Sequence, residues 1–196
     1  MSGSSGAAGA FLLVFALMTP ASAGPAQPRA PVSRPAQPNE LDALFAALAK
    51  TRAPEDAKPL EDQIEARFLA SGSSSVDLLM ARAADALKAG DKPVALRLLD
   101  AITSVAPDYA EGWHQRGKLE AEAGDDESAI ISLNRTVTLN PREFEAYAEL
   151  GEILLVEGDK KDALGTFRKA LALDPHIDNL DKQLERLSRD VEGEKI

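Results

Sequence analysis

The side chains in this chain with the greatest capacity for chemistry are its two histidines, His114 and His176. The sequence contains no cysteine, which excludes a thiolate nucleophile, a thiolate metal site and disulfides. A lone histidine without a cysteine or a second nearby histidine is a poor metal site. No serine stands with a histidine and an acid in a recognised arrangement. We therefore predict that the protein is not an enzyme and that it uses no metal and no cofactor.

Both histidines belong to a segment, residues 76–177, that repeats with a period of 34 residues. Four columns of residues keep this spacing in three copies: Leu79, Trp113 and Tyr147; Gly90, Gly124 and Gly158; Ala95, Ala129 and Ala163; Pro107, Pro141 and Pro175. An acidic residue follows each of the three glycines. Several columns in register indicate a repeat array.

Each copy (76–109, 110–143 and 144–177) is long enough for two helices and two short turns. The Gly-Asp pair is expected to end the first helix and to cap the second. Small residues recur on both helices, among them Ala83, Gly117 and Gly151 on the first. They let the two backbones approach closely where the helices cross. The proline that closes each copy ends the second helix.

Additional helices are predicted on both sides of the array. Residues 39–75 have apolar residues at helical spacing in two stretches separated by Pro54. They predict an N-terminal helical hairpin, which we expect to cover the first repeat. Residues 178–196 predict a C-terminal capping helix followed by a tail. The expected fold class is therefore all-α.

The N-terminal residues have the pattern of a secretory signal. Residues 1–23 contain no charged side chain, residues 10–18 are apolar, and small residues end the segment at Ala23. We predict a signal peptide cleaved after Ala23 and a periplasmic protein; the alternative is an uncleaved N-terminal anchor. Residues 24–38 contain five prolines and predict a Pro-rich disordered linker. We expect no stable membrane span after cleavage.

The chain has a formal net charge of -10, and all its acidic residues lie at Glu40 or later. A field of this sign disfavours binding to nucleic acid and to anionic membranes. It favours basic partners weakly. Ordinary surface charge that keeps the protein soluble explains the same composition.

The repeat columns resemble those of the tetratricopeptide repeat (TPR) family. The third copy carries most of them, with Tyr147, Leu150, Gly151, Leu154, Ala163, Phe167, Ala170 and Pro175. The resemblance implies a right-handed α-solenoid of three TPR helix pairs, whose first helices line a concave groove for peptides or partner proteins. The chain is also similar, more loosely, to exported bacterial TPR-repeat proteins.

Family position predicts which residues face that groove. The predicted partner-binding residues are Asp77, Met80, Leu87, Glu111, His114, Lys118, Glu122, Glu145, Glu152 and Leu155. The Lys and Asn pattern with which some chaperone-binding members clamp a carboxylate is absent. Acids beside small and apolar residues favour a partner segment with apolar anchors and Lys or Arg. Each acid fits an ordinary solvated helix residue equally well.

Two arginines depart from the family pattern, since Arg82 and Arg116 stand where the family usually has Leu. Glu120 similarly replaces a large apolar residue, four positions after Arg116, so the two can form an ion pair on one helix. Two hypotheses follow. The pair is a tolerated, partly exposed contact, or it belongs to a polar network that holds the angle between the first two repeats.

These observations together predict a non-catalytic scaffold or adaptor of the bacterial cell envelope, which binds a protein or peptide in its concave groove. The alternatives are an accessory or regulatory subunit of an envelope enzyme or secretion complex, and a self-assembly module that uses Trp113 or an end face.

Overall fold

A computed structural model describes residues 38–193 of the chain. The predicted signal peptide, residues 24–37 of the predicted linker and the last three residues of the tail lie outside the described residues. Residues 38–193 form nine helices and no strand, which confirms the predicted all-α solenoid. Within them, no helix combines the length and the apolar character needed to cross a membrane.

The helices are α1 (Pro38–Leu48), α2 (Pro54–Phe68), α3 (Ser74–Lys88), α4 (Lys92–Val105), α5 (Ala110–Glu122), α6 (Asp126–Leu139), α7 (Phe144–Val156), α8 (Lys160–Leu173) and α9 (Leu180–Glu192). Helices α3–α4, α5–α6 and α7–α8 pack as three pairs. The first helices of the pairs end at Lys88, Glu122 and Val156, at intervals of the sequence period.

The turn inside each pair is built from the predicted Gly-Asp dipeptide. Gly124 has a φ of 77°, a left-handed conformation that glycine adopts without a steric penalty. The side chain of Asp125 then accepts a hydrogen bond from the backbone N–H of Ser128 at 3.2 Å, which caps α6. The other two pairs repeat this arrangement at Gly90 and Asp91, and at Gly158 and Asp159.

The small residues predicted at the helix crossings are required by the packing. A Cβ atom added to Gly151 would lie 2.5 Å from the ring of Phe167, which is fully buried. A Cβ atom added to Gly117 would lie 2.9 Å from Leu133 Cγ. Side-chain atoms do not approach this closely, so each first helix sits directly against its second helix.

The N-terminal hairpin, α1–α2, reaches further than the sequence predicts. Its C-terminal end contacts the first pair, where the Tyr109 hydroxyl donates to the Leu69 carbonyl at 2.8 Å. Its other end packs against the third pair: the ring of Phe45 lies edge-on to Phe144, with centroids 6.4 Å apart. The interior of this contact includes Leu48 and Ile64, both fully buried. The hairpin therefore extends across the face formed by the first helices.

Helix α9 covers the far end of the array, as the sequence predicts. Its buried residues Leu180 and Leu187 pack in one cluster with Leu164 and Phe167 of α8. Its polar side faces solvent, where Arg186 and Glu185 are exposed. An amphipathic helix of this kind ends a repeat array because no further pair can stack on its polar face.

Candidate functional site: the groove of the first helices

The groove is the face formed by α3, α5 and α7 together with α2, which lies over it. All ten residues predicted from family position lie on α3, α5 or α7. The structure divides them into three groups. An open group on α3 lines a cavity, a group on α5 and α7 lies at or beside the buried His114, and the last three residues, Glu122, Glu152 and Leu155, contact other helices.

The open group surrounds a cavity of about 430 Å³ between α3 and the end of α2. Met80 and Leu87 line it, together with Ala84 of the same helix and Leu69 from the hairpin side. Asp77 lies at its edge, where its carboxylate accepts a hydrogen bond from the Ser71 hydroxyl at 2.6 Å. An apolar cavity with a carboxylate at the edge can hold an apolar side chain beside a cation or a hydrogen-bond donor.

The group on α5 and α7 is centred on His114, which is buried together with Glu111. The Nε2 atom of His114 lies 3.1 Å from a carboxylate oxygen of Glu149 on α7. Its Nδ1 atom lies 3.5 Å from Glu111, whose other carboxylate oxygen accepts from Gln115 at 2.7 Å. Both ring nitrogens face carboxylates, so His114 forms no dyad with a serine.

The two carboxylates reverse the effect of burial on this histidine. Burial alone would lower the pKa of His114, but the hydrogen bonds and the negative charges of Glu111 and Glu149 raise it well above its usual range. The two carboxylates therefore favour the protonated imidazole. Glu149 also pairs with Lys118 at 3.5 Å, so α5 and α7 are joined by charge as well as by packing.

Two further acids, the buried Glu143 and the half-buried Glu65, complete this group, and neither was predicted. Burial raises the pKa of Glu143 to about 8, an effect that the His114 charge reduces and that Glu111 and Glu145 strengthen. Burial, followed by the charge and hydrogen bond of Glu145, raises the pKa of Glu65 on α2 to about 7. Buried carboxyl groups that face one another favour the protonated form.

The sequence alone could have drawn attention to Glu143, although this residue is not among the predicted groove positions. It is the last residue of the second copy, where the first and third copies have Tyr109 and Ile177. An acid in an apolar column marks a departure from the repeat. Glu65 carried no such signal, because it lies outside the repeats in the hairpin.

The remaining predicted residues contact other elements. Glu122 pairs with Lys92 at 3.0 Å, Glu152 accepts a hydrogen bond from Gln183 of α9 at 3.1 Å, and Leu155 lines a shallow cavity at α9. None of these three lines the cavity beside α3. Glu145 instead contacts Glu65 beneath the hairpin.

The two departures from the family pattern at Arg116 and Glu120 form a network between α4, α5 and α6. Arg116 donates to Asp100 at 2.8 Å and to Ser132 at 3.2 Å, and it pairs with Glu120 at 3.0 Å. Ser132 donates to Glu120 at 2.6 Å. Glu120 is buried, so the contact is more than a tolerated surface pair, and it joins the first helix pair to the second.

Trp113, which the sequence offered for self-association, contacts the end of the first repeat and its own helix. Its indole N–H donates to the Pro107 carbonyl at 3.1 Å, and the guanidinium of Arg116 lies 5.7 Å from the ring centroid. The side chain is half-buried.

Comparison with known proteins gives matches over the repeat region. The sequence matches the tetratricopeptide repeat family at residues 80–141 and at residues 144–177. A TPR repeat-containing protein of Rhizobium etli is 38% identical over 79 residues, which are 40% of this chain and 39% of that protein. The chain therefore matches well under half of that relative's length.

Solved structures of other proteins share the fold, and they include the following two. A mutant O-GlcNAc transferase of Thermobaculum terrenum has a TM-score of 0.53 at 27% identity, over 59% of this chain and 22% of that one. The first TPR of Spaghetti (RPAP3), bound to an HSP90 peptide, has a TM-score of 0.56 at 17% identity, over 60% of this chain and 93% of that one. At 17% identity, the likeness to the RPAP3 domain concerns the fold alone.

Proposed function

Because the chain is a tetratricopeptide repeat protein, we propose that it is a non-catalytic scaffold that binds a segment of another protein in the groove beside α3. The observation that carries this proposal is the open apolar cavity of about 430 Å³ lined by Met80, Ala84 and Leu87. The RPAP3 domain of similar fold was solved with a peptide bound, which supports the same class of function here.

The chemistry of this cavity indicates its partner. Its size suits one or two apolar side chains, and its walls come from α3, from the end of α2 and the residues after it, and from Leu99 and Gln115. Asp77 at the edge and the net charge of -10 favour a basic residue next to the apolar anchor. The proposed partner segment is therefore amphipathic, with an apolar anchor and a nearby Lys or Arg.

The groove of the second and third repeats is not proposed as the primary binding surface. The hairpin covers its centre, where Glu111 and His114 are buried. Beside them, Lys118 and Glu145 line a cavity of about 470 Å³ whose lining side chains are mostly charged, so it offers an anchor residue less apolar surface than the cavity beside α3 does. A partner that used the two buried residues would first have to displace α2, at the cost of exposing Ile64 and Leu48 to water.

The proposed location is the bacterial envelope, after export and cleavage behind Ala23. The uncharged segment 1–23 with its apolar run and small residues supports it. The mass of the protein recovered from the envelope of the producing cell tests this point. A mass that corresponds to a chain beginning at Gly24 agrees with cleavage. A mass that corresponds to an intact N-terminus, found in the membrane fraction, favours the anchor.

Site-specific crosslinking tests the binding surface. A photo-crosslinking residue at Ala84, exposed in the cavity, is compared in the native cell with the same residue at Ile131, which is 59% exposed on α6. We expect one adduct that depends on position 84, and mass spectrometry to identify the crosslinked segment. A synthetic peptide of that segment then serves as the probe for affinity measurements.

Matched variants decide whether the cavity is the site. Leu87→Glu places a charge in the apolar cavity and should weaken the peptide at least about tenfold, while Val105→Glu, at an exposed position on α4, should not change its affinity. Asp77→Lys should weaken it a few-fold, and less at high salt. Equal crosslinking at 84 and 131, or an unchanged affinity of Leu87→Glu, contradicts the proposal.

The identity of the crosslinked protein separates the alternatives. A second copy of this chain indicates self-assembly, which light scattering of residues 24–196 checks independently. An enzyme or a secretion component indicates an accessory subunit.

A further inference from the structure

A small cavity of about 50 Å³ lies beneath α2 and is lined mainly by groups that can bind a metal ion. Three of them, Glu111, His114 and Glu143, are 6%, 2% and 1% exposed. One donor atom from each lies within 4.8 Å of the others. Glu65 of α2 and Glu145 of α7 line the same cavity.

The orientation of His114 is that of a metal ligand with a supporting carboxylate. Its Nε2 atom faces Glu149 at 3.1 Å, which fixes the ring and leaves Nδ1 directed toward Glu111. The Nδ1–Glu111 distance of 3.5 Å is longer than that of an ordinary N–H···O hydrogen bond. A histidine whose second nitrogen is held by a carboxylate is the usual arrangement around protein-bound zinc.

The charge balance around the cavity favours a cation. Four carboxyl groups line it, and His114 is the one basic group among the lining residues. Carboxyl groups buried this close together are costly as anions, since each loses its hydration, so they either bind protons or share a cation. A divalent ion supplies positive charge at the point where these oxygens converge.

We propose that this cavity binds a divalent transition-metal cation, represented by Zn²⁺, through His114 Nδ1 and the carboxylates of Glu111 and Glu143. Nitrogen and oxygen donors of this kind bind zinc at about 2.0–2.2 Å, which places tetrahedral donors about 3.4 Å apart. The separations of up to 4.8 Å therefore need only a small inward rotation of the glutamate side chains. Glu65 of α2, which lines the same cavity, completes the coordination.

The sequence offered no sign of such a site, because its donors come from one helix and a separate turn of the array. Glu111 and His114 lie on α5, and Glu143 lies in the turn before α7. When Glu65 of the hairpin joins the coordination, the ion also connects α2 to the repeats. Metal binding would then hold the hairpin on the groove. This inference does not depend on the partner segment proposed for the cavity beside α3.

Metal titration of the full chain tests the site. Protein stripped with EDTA and dialysed is titrated with ZnCl₂ by isothermal calorimetry, and its melting temperature is measured with and without the ion. We expect one Zn²⁺ bound per chain and a higher melting temperature. His114→Gln and Glu143→Gln should abolish this binding, and Glu149→Gln should weaken it about 10- to 100-fold, as loss of a supporting carboxylate does.

Two further variants keep the result interpretable. Glu152→Gln removes an exposed acid of α7 away from the cavity and should bind Zn²⁺ like the unmodified chain. Glu65→Gln changes only the half-buried hairpin residue and should weaken binding while the repeats stay folded. The proposal is overturned if the chain binds no Zn²⁺ at one equivalent, or if His114→Gln, folded by circular dichroism, binds it with unchanged affinity.

Discussion

Replacing Arg116 with Leu tests whether the polar network between the first two helix pairs stabilises the fold. Leu is the residue that family position favours there, so the change introduces no foreign shape. It removes the guanidinium that lies 3.0 Å from Glu120 and 2.8 Å from Asp100. Glu120 is 4% exposed and keeps only the Ser132 hydroxyl, at 2.6 Å, among the donors described above.

The expected cost follows from leaving this carboxylate buried. Removing one partner of a buried ion pair typically costs about 3–5 kcal/mol. Arg116 is 24% exposed and Ser132 remains as a donor, so we expect the lower end, about 3 kcal/mol. For a folded region of this size that corresponds to a fall of about 6–12 °C in melting temperature.

A double variant separates the loss of the pair from general damage. In Arg116→Leu/Glu120→Leu both charges are absent, and Ser132 can donate to a carbonyl of its own helix. Replacing a whole buried pair with apolar residues is close to neutral. The double variant should therefore recover most of the stability that the single variant loses, which is a coupling of about 2 kcal/mol or more.

Urea unfolding followed by circular dichroism at 25 °C measures these free energies. Arg82→Leu is the matched control: Arg82 is exposed at the equivalent position of the first copy, and no ion pair involves it in the described part of the chain. It should change stability by less than about 0.5 kcal/mol. The reasoning fails if Arg116→Leu is as mild as this control, or if the double variant is no more stable than the single one.

Three further predictions concern packing, charge and the hairpin. Gly151→Ala should destabilise the fold by about 1–3 kcal/mol, because the added Cβ would lie 2.5 Å from a buried ring. Gly165→Ala, at a position open to solvent in α8, should instead stabilise the fold by up to about 1 kcal/mol. Thermal melting measures both effects. Burial raises the pKa of Asp174, so ionisation of this carboxyl lowers the stability of the fold as pH rises through that pKa. The stability of Asp174→Asn relative to the unmodified chain should therefore increase from acid to neutral pH. Urea unfolding at several pH values measures this difference. Arg142 lies 4.0 Å from an aromatic ring of α1 and pairs with Asp42, so Arg142→Ala should speed proteolysis between α1 and α2.

Each of these has a distinct contrary result. Equal effects of the two glycine variants would mean that the crossing is not close-packed. A stability difference for Asp174→Asn that does not vary with pH would mean that this carboxyl is not perturbed. Unchanged cleavage of Arg142→Ala would mean that packing of the apolar residues alone holds the hairpin.

The repeat units were predictable because each is specified locally. The turn glycines, their following acids and the small crossing residues recur every 34 positions, and each has a local physical reason. The helix ends at Lys88, Glu122 and Val156 follow directly from them. Sequence periodicity is informative wherever a contact joins neighbouring elements.

The position of the hairpin was not predictable in the same way. Its apolar residues, such as Phe45 and Ile64, show that one face of each helix is buried, but not which surface buries it. That surface includes Phe144, a residue that already has a place in the repeat. Because the hairpin covers α5 and α7, the groove positions Glu111 and His114 became interior residues.

The contact between Asp42 and Arg142 joins residues 100 positions apart. The hairpin is synthesised first, and its docking surface on the third repeat is completed about 100 residues later. At roughly 5–20 residues per second, this surface follows the hairpin by about 5–20 s. The first two helix pairs can close during that interval, since their contacts are local. A nascent chain therefore presents α3 and α5 without the hairpin docked over them for some seconds, and a partner present at that moment can meet α5 before the hairpin does.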